Sequence, residues 1–438
     1  MNILIISNVY YPVINPRALR WATIAAKWAS QGHTVDVLAS WRPGFPDHEQ
    51  HKGVSIHRTG KSTFQSIRIK LLSMSEKRSG AGESGRQSAI QSPGAVALRA
   101  IKKISEITWK KIHWPDCECM WYPSAVRKAR NLVRERSYDV LVSVSTPFTS
   151  HVVGRRVKKM IPSVPWVVDI GDPFSYHTVE HQNNYRLYNR LNFSTEENVF
   201  SHATGIAVTS EETREQYIRH FPDFDDKINV IPPLISFTND FRENRKPYFS
   251  GGNGTRLLFV GNFYRPVRRP TFLFDAFRQL LDSGLNGKIE LHIIGSVKNV
   301  MDFITPYNDL IEAGDVVLHG LMEHSRALDA LMDADVLVNL GNDTSYQVPS
   351  KIVDYMATGK PIINLASICD DSSSRVLAEY PLSVTLTGEH CTKDSPEFLK
   401  AVSFLENIPR SLDEHTVDDI IRPYRIESIS KQYLSLIT

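Results

Sequence analysis

A short helix near residue 350 has the residue types and spacing to hold a phosphorylated ligand. In the stretch VPSKIVDYMATGKPIINL, Ser350 follows Pro349 as a helix N-cap, and Gly359 provides a left-handed C-terminal stop. The unpaired N–H groups at a helix start carry a partial positive charge that suits a phosphate. Asp354 lies one turn further along the same face, where its carboxylate can accept from a sugar hydroxyl. The pattern indicates a nucleotide site; the alternative is an ordinary capped helix with an exposed aspartate.

Acids and a histidine follow apolar runs in the first half of the chain. Asp169 and Asp172 stand at the end of PWVVDIGDPF, and His151 follows STPFTS. Open α/β sheets bind ligands at the carboxyl ends of their strands, so these side chains are site candidates. We favour Asp172 as the acceptor of a hydrogen bond from a substrate hydroxyl, because Asp169 also fits a structural role in its loop. The alternative for His151 is a position on a helix surface.

Short apolar runs alternate with helical stretches along the chain, a pattern typical of doubly wound parallel sheets. The first half has such runs at 2–7, 34–40, 139–144, 165–170 and 205–210. The second half repeats the cycle at 255–262, 288–296, 315–320, 335–341 and 360–365. Between the first two runs, PRALRWATIAAKWASQGH predicts a helix. The expected fold is α/β, with two Rossmann-like domains of doubly wound parallel sheet that face a central cleft.

A linker containing proline and glycine sets the predicted domain boundaries. Pro232-Pro233, several charges and Gly251-Gly252 mark the connection, placed at 236–254, between a first domain at 1–235 and a second at 255–419. Two such halves form a cleft between them, which is a common ligand site. The last stretch, 420–438, has a helical pattern and is a candidate to pack back on the first domain.

The segment from about 61 to 113 is predicted to be a basic insertion. Residues 61–111 hold eleven Lys and Arg against three Glu, an excess of 11 − 3 = 8 positive charges. The stretch ALRAIKKISEITWKKIHW predicts a basic amphipathic helix, which can lie on an anionic membrane surface. The alternative is a solvated helix packed on its own domain.

Composition limits the classes of protein that this chain can be. It has 438 residues, 42% hydrophobic and 23% charged, and its net charge of +3 is too small to favour nucleic acid as a partner. Four cysteines in a chain of this length do not form a disulfide framework, which indicates a reducing compartment. No run approaches the roughly 20 apolar residues of a membrane span. The opening MNILIISN is predicted to be a strand and not a signal peptide. The expected location is therefore cytoplasmic.

Four stretches, in chain order, resemble the GT-B glycosyltransferases, specifically the large family-4 group that uses nucleotide sugars to build bacterial surface polysaccharides. SNVYYPVINPRALRWATIAAKWASQGHTVDVL resembles the family's opening strand, loop, helix and strand, and PWVVDIGDPF resembles its Asp-x-x-Asp-Pro loop. LLFVGNFYRPVRRPTFLFDAF resembles the start of its second domain, and VPSKIVDYMATGKPII resembles the helix that clamps the donor nucleotide. The matches run from residue 1 to about 365 and cover most of the chain.

The resemblance implies donor-binding roles in the second domain. Asp354 takes the place of the acid that binds both ribose hydroxyls, and Ser350 and Lys351 take the place of the helix start that holds the diphosphate. The loop after the second domain's first strand is expected to add phosphate contacts from Gly261, Asn262 and one of Arg265, Arg268 and Arg269. Cations are needed here because negative charge grows on the leaving nucleoside diphosphate as the glycosidic bond breaks.

The sequence departs from the family pattern at three places. The sugar-orienting acid, which lies eight residues before the ribose acid, is replaced by Tyr346; Tyr346 or Asp343 takes over its role, or the donor sugar differs. The Gly-Gly loop after the first strand is replaced by VINPR, where Arg17 is a candidate to reach the phosphates or the acceptor. The alternative for Arg17 is a surface arginine at a helix start. Gly171 stands where relatives often carry a basic or imidazole side chain.

The implied activity is a retaining transfer of a sugar from a nucleotide-sugar donor to a hydroxyl of a lipid-linked or polysaccharide acceptor, in cell-surface polysaccharide biosynthesis. The catalytic candidates are Asp172, His151 and Arg268. Neither a metal nor any other cofactor is expected. The expected partners are the donor, a glycan or lipid-linked acceptor and an anionic membrane surface, which would make the protein peripheral at the inner face of the plasma membrane. The alternatives are a GT-B sugar-nucleotide epimerase, a phosphorylase and a non-catalytic sugar-nucleotide-binding protein.

Overall fold

The computed structural model describes residues 1–61, 112–176, 181–237, 245–249, 251, 254–265, 267–388 and 391–437. The chain forms two compact units. Unit 1 contains Met1–Val208, His220–Asn229 and Ser430–Thr438, and unit 2 contains Thr209–Arg219 and Val230–Ile429. Residues 97–111 of the predicted basic amphipathic helix and part of the predicted linker lie outside the described residues.

Unit 1 is built on an eight-stranded sheet. Its strands are β1 (Asn2–Ser7), β2 (Thr34–Ser40), β3 (His48–His51), β4 (Val54–Thr59), β5 (Val140–Val144), β6 (Trp166–Asp169), β7 (Gly205–Val208) and β8 (Ile228–Val230). They lie in the order β3-β4-β2-β1-β5-β6-β7-β8. The strands from β4 to β7 run parallel, whereas β3 pairs antiparallel with β4.

Unit 2 is built on a six-stranded parallel sheet. Its strands are β9 (Thr255–Val260), β10 (Ile289–Ile294), β11 (Val316–Gly320), β12 (Val336–Leu340), β13 (Ile362–Ala366) and β14 (Ser383–Thr387), in the order β11-β10-β9-β12-β13-β14. Alternate residues of β9 enter two different cores. Leu257 and Phe259 pack with one set of helices, and Leu258 and Val260 pack with another. The sheet is therefore covered on both faces, as an all-parallel sheet requires.

Helices connect the strands of both sheets. In chain order they are α1 (Pro16–Ser30), α2 (Tyr122–Glu135), α3 (Thr149–Lys158), α4 (Tyr185–His202), α5 (Glu211–His220), α6 (Thr271–Leu280), α7 (Met301–Ile304), α8 (Asn308–Ala313), α9 (His324–Asp333), α10 (Lys351–Thr358), α11 (Ser372–Leu377), α12 (Pro396–Glu406), α13 (Glu414–Ile421) and α14 (Ile426–Ser435). Two parallel sheets with flanking helices confirm the predicted α/β class with two Rossmann-like domains.

The ten predicted strands are all present, with bounds that differ from the prediction by at most two residues. The sequence did not indicate β3, β4, β8 or β14. The strand β3, with sequence HEQH, is polar and lies at the edge of its sheet, so it has no apolar run to reveal it. Its register is set by pairing with β4, a contact that a local pattern does not encode.

Candidate active site

The reversal of strand order in unit 2 marks where a ligand is expected. The chain passes from β9 outward on one side and returns to β12 on the other, so the loops after these two strands flank the topological switch point. Arg268, in the first loop, donates from Nε and Nη2 to Oδ1 of Asn342, in the second, at 3.1 and 2.7 Å. The predicted basic loop therefore lies at the switch point.

The three arginines of this loop have different surroundings. Arg265 is exposed, donates to the carbonyl of Asn299 at 2.7 Å and pairs with Asp302. Arg269 is also exposed and donates to the carbonyl of Arg265 at 3.0 Å. Arg268 is partly buried, and desolvation lowers the pKa of its guanidinium. Of the three, Arg268 is therefore the cation enclosed by the site.

Gly261 and Asn262 fasten the same loop to the end of β10. The Gly261 N–H donates to the carbonyl of Ile294 at 2.9 Å, and the Asn262 side chain accepts from the N–H of Ser296 at 3.1 Å. At Gly295 a β-carbon would lie 1.8 Å from the Gly261 carbonyl oxygen, and φ is +148°. Only glycine fits there, because the two loops meet backbone to backbone.

Lys351 places a second enclosed cation near Arg268. It is the first residue of α10, and burial lowers the pKa of its ammonium group. The Asp354 charge raises that pKa and the Arg268 charge lowers it, so both groups lie close enough to act on Lys351. Among the described residues, neither Arg268 nor Lys351 forms an ion pair. Two partly buried cations that no carboxylate contacts in an ion pair, within the part of the chain that the structure describes, form an environment that favours an anion.

Asp354 is buried, with 8% of its surface exposed, so the alternative of an exposed aspartate is wrong. Both of its carboxylate oxygens accept from one residue: Oδ1 from the N–H of Ser236 at 2.7 Å and Oδ2 from its hydroxyl at 2.9 Å. Burial raises the pKa of Asp354 to about 6, while the two Ser236 bonds and the Lys351 charge lower it. Ser236 was not identified from the sequence, since nothing local to it indicates a carboxylate partner.

For the ends of α10, the prediction is confirmed at the C-terminus and wrong at the N-terminus. Gly359 has φ +75° in the left-handed region, and its N–H bonds back to the carbonyl of Met356, as expected of a C-terminal stop. Ser350 is not a side-chain cap. Its φ of −58° and ψ of −24° are already helical, whereas a capping side chain accepts from the helix N–H groups out of an extended backbone.

The loop before α10 is anchored at Tyr346, the residue that replaces the family's acid. Its carbonyl accepts from the Ser210 and Thr213 hydroxyls at 3.1 and 2.8 Å. Tyr346 itself is 7% exposed. The N–H of Asp343 donates to the carbonyl of Val267 at 2.8 Å, which ties this loop to the arginine loop.

In unit 1, Asp169 is the centre of a buried polar cluster at the end of β6. Its carboxylate accepts from the Trp21 indole at 2.7 Å and from the Tyr433 hydroxyl of α14. Arg17 Nη1 lies 3.3 Å from the same carboxylate. With 1% exposure and three side-chain partners, Asp169 has the structural role. Asp172 is less buried and accepts from the Thr146 hydroxyl at 3.2 Å.

Arg17 occupies the space above Gly171. Asn15 caps α1 by accepting from the N–H groups of Arg17 and Ala18, which sets the direction of the helix start. A β-carbon at Gly171 would lie 2.3 Å from Arg17 Nε, so the missing side chain at 171 is what admits the guanidinium. The Arg17 side chain is 16% exposed, so the alternative of a surface arginine is wrong.

His151 is fully buried in α3, so the alternative of a helix-surface histidine is wrong. Its Nδ1 lies 2.8 Å from the Ser143 hydroxyl, which also accepts from the Trp166 indole at 2.9 Å. Burial lowers the pKa of His151 to about 3. The imidazole is therefore neutral at physiological pH.

Family models match both units of the chain. Residues 92–238 match the model described as Glycosyltransferase Family 4, and residues 254–403 match the model described as Glycosyl transferases group 1. The chain is a glycosyltransferase. Among curated proteins, none matches this sequence.

Solved structures show that this glycosyltransferase has the GT-B fold. HepE from Anabaena, in complex with UDP and glucose, is 12% identical with a TM-score of 0.57, over 99% of this chain and 98% of that chain. The lipopolysaccharide outer core galactosyltransferase WaaB is 11% identical with a TM-score of 0.56, over 100% and 99%. A TarM variant from S. aureus, in complex with UDP among other ligands, is 12% identical with a TM-score of 0.57, over 100% and 99%. The predicted family resemblance and fold are confirmed.

Two further observations concern the described part of the glycosyltransferase. None of its helices combines the length and apolar character of a bilayer-spanning segment. Within the same ranges, no three His, Cys, Asp or Glu side chains are grouped as metal ligands.

Proposed function

We propose that this glycosyltransferase moves a sugar from a nucleotide-sugar donor to a hydroxyl of a lipid-linked or polysaccharide acceptor in cell-surface polysaccharide biosynthesis. The observation that carries the proposal is the pair of enclosed cations, Arg268 and Lys351, at the switch point of unit 2. A nucleoside diphosphate supplies the negative charge that this pair lacks. HepE and TarM, which share the fold, are bound to UDP, and WaaB acts on lipopolysaccharide.

The donor-binding roles follow from the charges and contacts in unit 2. Arg268 and Lys351 bind the diphosphate, and Asp354 accepts from the ribose hydroxyls. As the glycosidic bond breaks, charge moves to the phosphate oxygens, where fixed cations stabilise the transition state more than the bound donor. The exposed Arg269 adds positive potential around this site, whereas Asp302 balances the charge of Arg265.

Ribose binding to Asp354 requires Ser236 to leave the carboxylate. A ribose offers two vicinal hydroxyl donors, and Ser236 offers its N–H and O–H to the same two oxygens. The nucleotide and Ser236 therefore compete for Asp354. This competition lowers the affinity for the free nucleotide without altering the contacts made once it is bound.

Acceptor chemistry is assigned to unit 1. Asp172, at the carboxyl edge of the sheet and partly exposed, accepts a hydrogen bond from the acceptor hydroxyl. His151, neutral and buried, positions a substrate group and does not act as a general acid or base. Transfer with retention is proposed from the family resemblance, with the leaving phosphate as the base that deprotonates the acceptor. The proposal includes no metal or other cofactor.

We also propose a peripheral position on the cytoplasmic face of the plasma membrane, supported by the basic excess of residues 61–111. Deletion of residues 79–111 should abolish sedimentation of the protein with vesicles that contain anionic lipid. Unchanged sedimentation would remove the basis for this location.

The activity is tested by incubating the full chain with a panel of nucleotide sugars, with and without membrane extract, and measuring nucleoside diphosphate release. Release that requires the extract supports glycosyl transfer. Inversion of the donor sugar at C2 without release would instead indicate an epimerase. Donor binding with neither outcome would favour a non-catalytic nucleotide-sugar-binding protein.

A further inference from the structure

The switch point of the unit 1 sheet is lined by buried polar atoms that have no partner. Strand order reverses between β1 and β5, and Asn8 directly follows β1 while His151 lies in the helix after β5. The side-chain nitrogen and oxygen of Asn8, Nη2 of Arg17 and Nε2 of His151 are all buried and form no hydrogen bond among the described residues. Such atoms cost free energy when left unpaired, so a group of them at a ligand edge indicates a prepared site.

A backbone contact and the charges that act on His151 place these three residues in one neighbourhood. The peptide N–H of Asn8 donates to the hydroxyl of Ser150, the residue before His151, at 3.2 Å. The charges of Arg17 and of its partner Asp169 both act on the imidazole of His151. The site is therefore assembled from the segments after β1, β5 and β6.

The hydrogen bonds around His151 bear on whether its unpaired Nε2 atom is a donor or an acceptor. The Ser143 hydroxyl accepts from the Trp166 indole, so its own hydrogen is available to Nδ1 of His151. In the tautomer in which the Ser143 hydroxyl donates to Nδ1, the proton of the neutral imidazole lies on Nε2, and we assign this tautomer to His151. His151 Nε2, Arg17 Nη2 and the Asn8 amide nitrogen are thus three N–H donors, one of them on a cation. Such a set suits a group with several negatively charged oxygens.

We propose that unit 1 binds the acceptor through an anionic oxygen group, a carboxylate or a phosphate, held by Arg17, Asn8 and His151. Arg17 supplies the charge and a free N–H, while Asp169 fixes its orientation through the 3.3 Å contact. The Arg17 side chain is partly exposed, whereas Asn8 and His151 are not, so the anion enters from the side of Arg17. That the bound molecule is the acceptor rests on the proposed function; the anion site itself does not.

Two substitutions address the site in different ways. Arg17→Gln removes the cation. Gly171→Ala keeps it but displaces the guanidinium, because the new β-carbon would lie 2.3 Å from Arg17 Nε. Gly388→Ala is the matched control, since a β-carbon there meets nothing closer than 3.8 Å. Lys351→Gln is the control for the unit 2 anion site.

The experiment titrates the full chain with inorganic phosphate, D-glucuronate and neutral D-glucose at constant ionic strength and follows the melting temperature. We expect saturable stabilisation of the wild type by phosphate or glucuronate, and none by glucose. Lys351→Gln should keep the part of the response that arises in unit 1. Arg17→Gln and Gly171→Ala should each weaken that part at least tenfold, while Gly388→Ala retains it. A response to glucuronate alone identifies an acidic sugar as the ligand source, and a response to phosphate alone identifies a phosphorylated one.

Three results would overturn the anion site. They are no saturable response in the wild type, an unchanged response in both Arg17→Gln and Gly171→Ala, and a response that disappears in Lys351→Gln but not in these two. The third result would leave the donor site of unit 2 intact, so the proposed function would stand without this inference.

Discussion

The contact between Ser236 and Asp354 gives the sharpest test of the donor site. Ser236→Ala removes the hydroxyl bond of 2.9 Å to Oδ2 and leaves the peptide bond of 2.7 Å to Oδ1. If ribose must displace Ser236, the substitution removes one of the two hydrogen bonds with which Ser236 competes for the Asp354 carboxylate. Nucleotide affinity should therefore increase, which is the opposite of the usual effect of truncating a side chain in a binding site.

The size of the effect follows from the surroundings of the bond. A hydrogen bond to a charged group contributes about 1.5–3 kcal/mol. Because Ser236 is exposed, water competes for its hydroxyl and the lower end of that range applies. A free energy of about 1.4 kcal/mol corresponds to a tenfold change in Kd, so we expect roughly tenfold tighter binding.

Calorimetric titration with UDP, GDP and ADP identifies the base that binds. The affinities of two nucleotides with that base, the ribonucleotide and the 2′,3′-dideoxynucleotide, are then compared. The ribonucleotide should bind Ser236→Ala more tightly than the wild type. The 2′,3′-dideoxynucleotide has no hydroxyls for Asp354, so its affinity should not change. Ser283→Ala, which also loses one hydroxyl bond of 2.8 Å, is the matched control and should leave both affinities unchanged.

Two outcomes would refute the reasoning. Equal gains for the two sugar forms would show that Ser236 does not compete with the ribose hydroxyls. A loss of affinity for the ribonucleotide would show that Ser236 supports the nucleotide site, with Asp354 serving to hold the segment around residue 236 in place.

Other perturbations of the same site have clear expected results. Arg268→Gln should lower kcat about 10²–10³-fold by removing an enclosed cation from the leaving group, whereas the exposed Arg269→Gln should change it only a few-fold; equal losses in a transfer assay would argue against the distinction. Because burial raises the pKa of Asp354 to about 6, its ionised fraction falls as the pH is lowered through that value, so nucleotide affinity should weaken between neutral pH and about pH 5. Asp354→Asn should remove that part of the pH dependence in titrations with the same nucleotide, and an unaltered profile would contradict it. The same raised pKa means that the contribution of Asp354 to folding stability increases as the pH falls from about 6 towards the ordinary value of 3.8. Chelation with EDTA should leave transfer unchanged, and restoration of lost activity by a divalent cation would contradict the metal-free proposal. Gly359→Ala should destabilise the fold by about 1–2 kcal/mol in denaturant unfolding, because φ is +75° and the β-carbon would lie 2.8 Å from Val417; no loss relative to Gly388→Ala would be contrary to this.

Ten of the fourteen strands in the described ranges were accessible to sequence reasoning because each is a short apolar run between turn residues. The same holds for the left-handed stop at Gly359, which depends on one residue and its immediate neighbours. Polar edge strands such as β3 were not accessible, since they gain their structure from a partner strand. The Ser350 cap was predicted wrongly, because residue type gives a preference whereas the backbone angles decide whether the side chain can cap.

The site shows the same division between local and distant information. From the sequence, Asp354 was predicted as a site residue because it is a polar residue in a helix that follows a strand. Lys351 was predicted with it because it is at the start of the same helix. It gave no sign of Ser236, which lies 118 positions away and occupies both carboxylate oxygens. For Asp169 and Asp172, the sequence placed both acids at one strand end, and it favoured Asp172 for the site because Asp169 also fitted a structural role. Burial by Trp21, Arg17 and Tyr433 gives Asp169 its structural role.

By itself, the sequence determined the two parallel sheets, the order of the family motifs and the acids and cations at the strand ends. These features depend on apolar periodicity and on residues a few positions apart, and both can be recognised in the sequence alone. Only the tertiary structure decided which of these groups are enclosed, which are paired and which remain without partners. Tyr433 reaches Asp169 across 264 positions, and Arg17 lies over Gly171 because position 171 lacks a side chain. Such pairings arise when the chain brings distant strand ends to one edge, so their energies depend on burial and distance in the folded protein and not on spacing along the chain.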